Sequence, residues 1–130
     1  MPLSVQFDRD KNLLQVKAID MVTIEEFGEV LEEMTSSDEY PPDTPAVWDL
    51  RAFEFSILNR DVMMEFILAR ERFEQRNNVK VAIVVNSTFG FGMGRMYELI
   101  TSVRSNPQTV RTFRDLASAE AWLIEAGEQQ

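Results

Sequence analysis

The sequence predicts an α/β protein. Its sheet is a single layer of five mostly parallel strands, edged by an antiparallel N-terminal hairpin and accompanied by four helices. Three observations predict this. From residue 24 onward, segments of helical spacing take turns with short apolar runs, and strands that alternate with helices pair in parallel through helical crossovers. The first two strands are separated only by a short polar link, so they pair antiparallel at an edge. The chain has 130 residues, 45% of them apolar, which suits one packed core, so residues 1–130 are read as a single domain.

Val5 and Phe7, then Leu14, Val16 and Ala18, alternate with polar residues on either side of Asp8-Arg9-Asp10-Lys11-Asn12. Two short strands and a polar turn fit that pattern. Thr23-Ile24-Glu25-Glu26 is a capping-box signature: the threonine hydroxyl accepts an early backbone N–H and the glutamate reaches back. Ile24, Phe27, Val30, Leu31 and Met34 then recur at helical spacing, and the helix ends by Ser36-Ser37. Pro41, Pro42 and Pro45 cannot extend it, because proline lacks the N–H and restricts its predecessor.

Ala46-Val47-Trp48-Asp49-Leu50 reads as a buried strand, and residues 51–58 are ambiguous. Asn59-Arg60-Asp61 opens a helix with Val62, Met63, Phe66, Ile67, Ala69 and Phe73 on its apolar stripe, ended by Asn77-Asn78. Residues 79–85 are nearly all β-branched or small, as a central strand covered on both faces requires. The next helix carries Met96, Leu99, Ile100 and Val103 and stops at Asn106-Pro107. Residues 109–113 form the last strand. Ser118 caps a final helix with Ala119, Trp122, Leu123 and Ala126, and Gly127 fits its C′ position.

Composition narrows the chemistry. With no cysteine there are no disulfides, thiolate nucleophiles or cysteine-bound metals; with no histidine there are no histidine triads, imidazole shuttles or common zinc sites. Asp49, placed at a strand end where α/β active sites gather, has no nucleophile or base suggested beside it. No catalytic residue, metal ligand or cofactor is expected, and the protein is read as a non-enzyme. The net charge of −9 opposes nucleic-acid binding and docking on anionic membranes. That charge is uneven: residues 20–58 hold eleven acids and one base, and residues 79–114 hold five bases and one acid. Solvated helix faces account for this, as does a basic surface that meets an anion or an acidic protein. No signal peptide is recognisable at the N-terminus and no apolar stretch reaches eighteen residues, so no transmembrane segment is expected and the cytoplasm is the default location.

The element order resembles the SpoIIAA-like proteins, relatives of the STAS (sulfate transporter and anti-sigma-factor antagonist) domain, over residues 3–124. Val47-Trp48-Asp49-Leu50-Arg51 closing the third strand carries the resemblance. So do Val81-Ala82-Ile83-Val84-Val85 leading into Phe89-Gly90-Phe91-Gly92-Met93-Gly94-Arg95-Met96, and Val110-Arg111-Thr112-Phe113-Arg114-Asp115 before Ala119-Glu120-Ala121-Trp122-Leu123. The resemblance implies a compact α/β domain without catalysis that binds protein partners. Some relatives are switched by phosphorylation of a serine in an Asp-Ser-Ser-Gly-like turn. Asp49 matches the aspartate that precedes this turn, but residues 53–59 lack the turn itself. Ser56 is the nearest hydroxyl and hence the candidate phosphoacceptor, with Asp49 and Glu54 as like charges opposing a phosphate.

Ser87-Thr88-Phe89-Gly90-Phe91-Gly92-Met93-Gly94-Arg95 is the most unusual segment. It is read as a turn between the central strand and a helix. Strand ends are where open α/β sheets place ligands, and a helix N-terminus with Arg95 favours an anion. The Gly-x-Gly-x-Gly spacing is neither a dinucleotide fingerprint nor a P-loop, and the glycines equally permit close helix–strand packing. Phe89 and Phe91 flank Gly90 as Phe53 and Phe55 flank Glu54. Together these aromatics line an apolar pocket or partner patch, or they cap the core. Glu25, Glu26, Glu29, Glu32 and Glu33 form an acidic helix face, either solvated or a docking face for a basic partner. The expected binding site is therefore Phe53, Phe55, Ser56, Phe89, Gly90, Phe91, Gly92, Gly94 and Arg95. The expected role is regulation through a protein partner, with a second copy among the options. The alternative is a sensor or carrier that binds an apolar or anionic small molecule, a lipid or nucleotide included, at Gly90–Arg95.

Overall fold

A computed structural model of the chain describes residues 3–39, 41, 43–72, 79–104 and 108–128. Its elements are β1 (Leu3–Asp8), β2 (Leu13–Asp20), α1 (Ile24–Ser36), β3 (Ala46–Phe53), α2 (Arg60–Glu71), β4 (Lys80–Val84), α3 (Thr88–Ser102), β5 (Thr109–Phe113) and α4 (Leu116–Glu128). One 3₁₀ turn, Phe55–Ile57, follows β3 and occupies the stretch that the sequence leaves ambiguous. β1 and β2 pair antiparallel from Leu3–Ala18 to Asp8–Leu13, and all later pairs are parallel. The hairpin turn closes through Asn12 at φ 54° and a hydrogen bond from the Lys11 N–H to Asp8 Oδ1 at 3.1 Å; asparagine tolerates that left-handed conformation better than most residues.

The five strands lie in the order β1-β2-β3-β4-β5. Every parallel crossover therefore steps one strand in the same direction. Crossovers are right-handed in nearly all proteins, so α1, α2 and α3 fall on one face. α4 follows the last strand, is bound by no crossover, and packs on the other face against β3, β4 and β5. Period-two alternation divides the strands between these faces. Leu14, Val16, Ala18 and Ala46 pack under α1 and α2. Leu13, Val47, Ala82 and Val84 pack under Ala119 and Leu123 of α4.

α1 forms as its sequence predicts. Thr23 Oγ1 accepts the Glu26 N–H at 3.1 Å, Glu26 Oε1 accepts the Thr23 N–H at 2.8 Å, and Phe27, Val30, Leu31 and Met34 are buried. Phe27 meets Phe66 of α2 edge-on, with centroids 4.9 Å apart, and lies 5.5 Å from Trp48. Asn59 Oδ1 caps α2 by accepting the Val62 N–H at 2.9 Å. The helix ends at Glu71. Phe73, Asn77-Asn78 and Asn106-Pro107 lie outside the described residues.

Two helices differ from expectation. α4 begins at Leu116, because Asp115 provides the cap: its carboxylate accepts the Ser118 N–H at 2.7 Å and the Ser118 hydroxyl at 3.0 Å. Ser118 is thus inside the helix, which also runs on through Gly127. In α3 the buried face is Gly90, Met93, Gly94 and Thr101, with Ile100 and Tyr97 partly covered. Met96, Leu99 and Val103, expected in the core, are 38%, 66% and 85% exposed. Both stripes have helical spacing, and the small residues win the sheet-facing side because they let the helix axis approach.

Candidate functional site

The two loops expected to form a site follow the C-terminal ends of β3 and β4. Phe53 and Phe55 meet edge-on with centroids 5.0 Å apart. Between them, the Glu54 N–H donates to the Asp20 carbonyl at 2.8 Å, and the Glu54 carboxylate accepts the Ser56 N–H at 3.2 Å. On the neighbouring strand end, Ser87 Oγ accepts the Gly90 N–H at 2.9 Å and caps α3. The loops touch: a Cβ on Gly90 would lie 3.1 Å from Phe55 Cε2.

The Gly90–Arg95 segment is not a turn. It forms the first two turns of α3, and no glycine among the described residues has a positive φ. The glycines instead set a close approach. A Cβ on Gly94 would come within 2.6 Å of both Thr112 Cγ2 and Thr112 Oγ1 on β5, whereas nothing lies within 4 Å of one on Gly92. What the segment offers an anion is an ordinary helix N-terminus, with one of its free N–H groups already taken by Ser87.

The nine expected site residues thus divide. Phe53, Phe55 and Gly94 line an apolar cavity of about 140 Å³ between the sheet and α1–α3. Gly90 seats against Phe55. Phe91 carries the Arg114 guanidinium 4.4 Å above its ring. Phe89, Gly92 and Arg95 face solvent, with Arg95 3.9 Å from Glu98. Ser56 is exposed beside the Glu54 carboxylate, which would repel an added phosphate.

Three cavity residues with polar side chains, Arg70, Tyr97 and Gln108, were missed in the sequence. Arg70 is only 6% exposed. Its signal was present, since it follows Phe66 and Ile67 by four and three residues and so continues the apolar stripe of α2. Burial pushes its pKa down from the ordinary value, and burial pushes that of the Tyr97 phenol up. A second feature was also missed. Phe89, Gly92, Met96, Leu99 and Val103 recur at spacings of three and four along the exposed side of α3.

The basic stretch forms no single patch. Lys80 lies 5.0 Å from the Trp122 ring, Arg111 5.4 Å from Phe113, Arg114 stacks on Phe91, Arg104 pairs with Glu71 and Arg95 with Glu98. These contacts fall on different faces. Asp49 is within β3 and not at its end. Its carboxylate takes Arg51 Nε at 2.9 Å and Nη2 at 2.8 Å. No three acidic side chains among the described residues converge to hold a metal, and no described helix is long and apolar enough to cross a membrane.

Between neutral and acid pH, stability should fall through the carboxyls alone. Hydrogen bonds from Arg51, Arg104 and Ser118 hold the carboxyls of Asp49, Glu71 and Asp115 below their ordinary values of 3.8, 4.5 and 3.8. A carboxyl whose folded pKa is depressed contributes stability above its unfolded pKa and loses it as pH falls through the folded one. With neither histidine nor cysteine in the chain, Tm is expected to be flat from about pH 5.5 to 7 and to fall below about pH 4.5. Circular-dichroism melts across that range check this; a step near pH 6.5 would contradict it.

No protein-family model matches this sequence, and no curated protein matches it. Among solved structures, it is similar to an uncharacterized protein of the DUF3478 family with a SpoIIAA-like fold, from Shewanella loihica PV-4. The match has a TM-score of 0.63 at 18% identity and covers 93% of this chain and 91% of that one. At that identity the likeness speaks for architecture alone, and it meets the resemblance carried by the strand ends and helix starts: the chain is an α/β protein with a SpoIIAA-like fold.

Proposed function

We propose that the protein is a non-catalytic, cytoplasmic regulatory domain that works by binding another protein, and that the exposed seam of α3 receives it. The carrying observation is that seam. Isolated exposed apolar residues are ordinary, but a contiguous row marks an interaction surface. Phe89, Met96, Leu99 and Val103 stand 55%, 38%, 66% and 85% exposed along α3 and its C-terminal cap. Their spacing is that of a helix-pairing seam, so the fitting partner element is a second amphipathic helix. Gly92, bare and central, lets the partner backbone come close.

The test pairs the wild type with a Leu99→Glu/Val103→Glu variant. Both positions are exposed, so the melt should be unchanged. A partner recovered on the wild type, then purified and titrated, should bind the variant at least about 100-fold more weakly, as expected for central apolar contacts. Sedimentation of both proteins shows whether that partner is a second copy. Equal affinity for the two proteins would overturn the reading. The alternative, a small-molecule sensor or carrier, draws its support from the cavity beneath α3, which Gly94 of the Gly90–Arg95 segment helps to line.

A further inference from the structure

We infer that the cavity between the sheet and α1–α3 binds an uncharged, apolar molecule about the size of one aromatic ring. This rests on the small-molecule reading, which it deepens, and is independent of the α3 seam.

Size comes first. Protein interiors are packed as closely as organic crystals and keep few voids larger than a water molecule. This one measures about 140 Å³, and an apolar void of roughly 150 Å³ holds a benzene molecule. The space is built into the sequence. Ala18 of β2, Ala46 of β3 and Gly94 of α3 line it, where residues of ordinary core size would close it. α2 makes its close backbone approach chiefly to α1, so the space between α2 and the sheet is left to side chains such as Met63 and Phe66. A void of this kind lowers stability, because its lining gives up contacts that a packed core would make. An apolar occupant restores them.

The lining decides the chemistry. Trp48, Phe53 and Phe66 present rings, and Met34, Met63 and Met93 present thioethers. Rings favour edge-to-face or offset partners, and a thioether sulfur makes favourable contacts with a ring. Methionine side chains also adapt to the shape they enclose. Among the described lining residues, and beyond the Trp48 indole, the polar side chains are those of Arg70, Tyr97 and Gln108. Arg70 interacts electrostatically with Tyr97 and Glu71, so its charge has partners within the protein. A carboxylate or phosphate entering the cavity would surrender its hydration to walls that are otherwise apolar, a cost that an uncharged ring does not meet.

The methionines supply reporters. Met34, Met63 and Met93 line the cavity, whereas Met21 and Met96 are exposed. In protein labelled with ¹³C at the methionine methyls, toluene should shift Met34, Met63 and Met93 saturably and leave Met21 and Met96 in place. Benzoate, of nearly the same shape but charged, should bind at least about tenfold more weakly. Ala18→Leu narrows the void and should weaken toluene binding at least about tenfold; Ala46→Val serves the same purpose if that protein does not fold. Unchanged toluene binding in a folded variant would place the molecule elsewhere and overturn the proposal. If none of toluene, benzoate and 1-decanol moves the cavity methionines at millimolar concentration, the cavity is no ligand site and the small-molecule reading fails with it. If benzoate binds as tightly as toluene, or 1-decanol alone binds, the small-molecule reading stands and the assignment to an uncharged ring is wrong.

Discussion

Replacing Gly94 with valine is expected to cost about 3 kcal/mol, whereas Gly92→Ala, two residues away on the same helix, is expected to add about 1 kcal/mol. A Cβ at position 94 would stand 2.6 Å from both γ atoms of Thr112. Rotation of Thr112 gives no relief, because every staggered rotamer of a β-branched residue leaves at least one γ atom there. Nor can β5 withdraw freely, since the Thr112 N–H donates to Glu98 Oε2 of α3 at 2.8 Å. At 92 the added methyl meets nothing within 4 Å and only removes the conformational penalty of a helical glycine. For a chain of this size Gly94→Val should lower Tm by about 10 °C or more, and Gly92→Ala should raise it by about 3–5 °C. Thr112→Ala should recover much of the loss in Gly94→Ala, with a coupling of about 1–2 kcal/mol. A Gly94→Val protein that melts like the wild type would remove the packing role assigned to this glycine.

Leu14→Ala is expected to cost about 3–4 kcal/mol, and Leu13→Ala a similar amount. Adjacent leucines that are both 0% exposed are unusual beside an edge hairpin. They arise because β2 is covered on both sides at this point: Leu14 by the α1 and α2 cluster, Leu13 by the α4 cluster. The sheet stands between the two side chains, so they belong to different clusters. The milder pair Leu13→Val and Leu14→Val should therefore add to within about 0.5 kcal/mol in urea titrations. A Leu14→Ala loss under about 1 kcal/mol, or strong coupling between the valine pair, would show that the faces are not packed independently.

Much of this architecture was legible in the residues themselves. The hairpin, the Thr23 capping box, the Asn59 cap and the β-branched run before Asn86 each carry a local signal that tertiary contacts leave intact, and their order implied the parallel sheet. The SpoIIAA-like fold followed from the same strand ends. The orientation of α3 was not legible, because Met96-Leu99-Val103 and Gly90-Met93-Gly94-Tyr97 have equally good helical spacing. Side-chain size relative to Thr112, a residue of a different element, decides between them. The same blindness hid the start of the helix: glycine reads as a turn residue when its role is the absence of a Cβ. Of the expected site residues, Phe53, Phe55 and Gly94 line the cavity. Arg70 was passed over because a charge on an apolar stripe looks like a solvated edge until the neighbouring helices are in position.

The strictly consecutive strand order gives the two faces of the sheet different histories. Each strand pairs with the one made just before it, so the sheet can extend at one edge as the chain leaves the ribosome, with little loop-closure entropy at each step. The crossover helices arrive between strands and cover their face as it grows. Leu13, Val47, Ala82 and Val84 wait for α4, which is synthesised after all five strands. The nascent protein therefore passes through a one-sided stage, helices on one surface and bare apolar sheet on the other. Such a stage is open to aggregation or to chaperone capture, and it ends when a single helix docks.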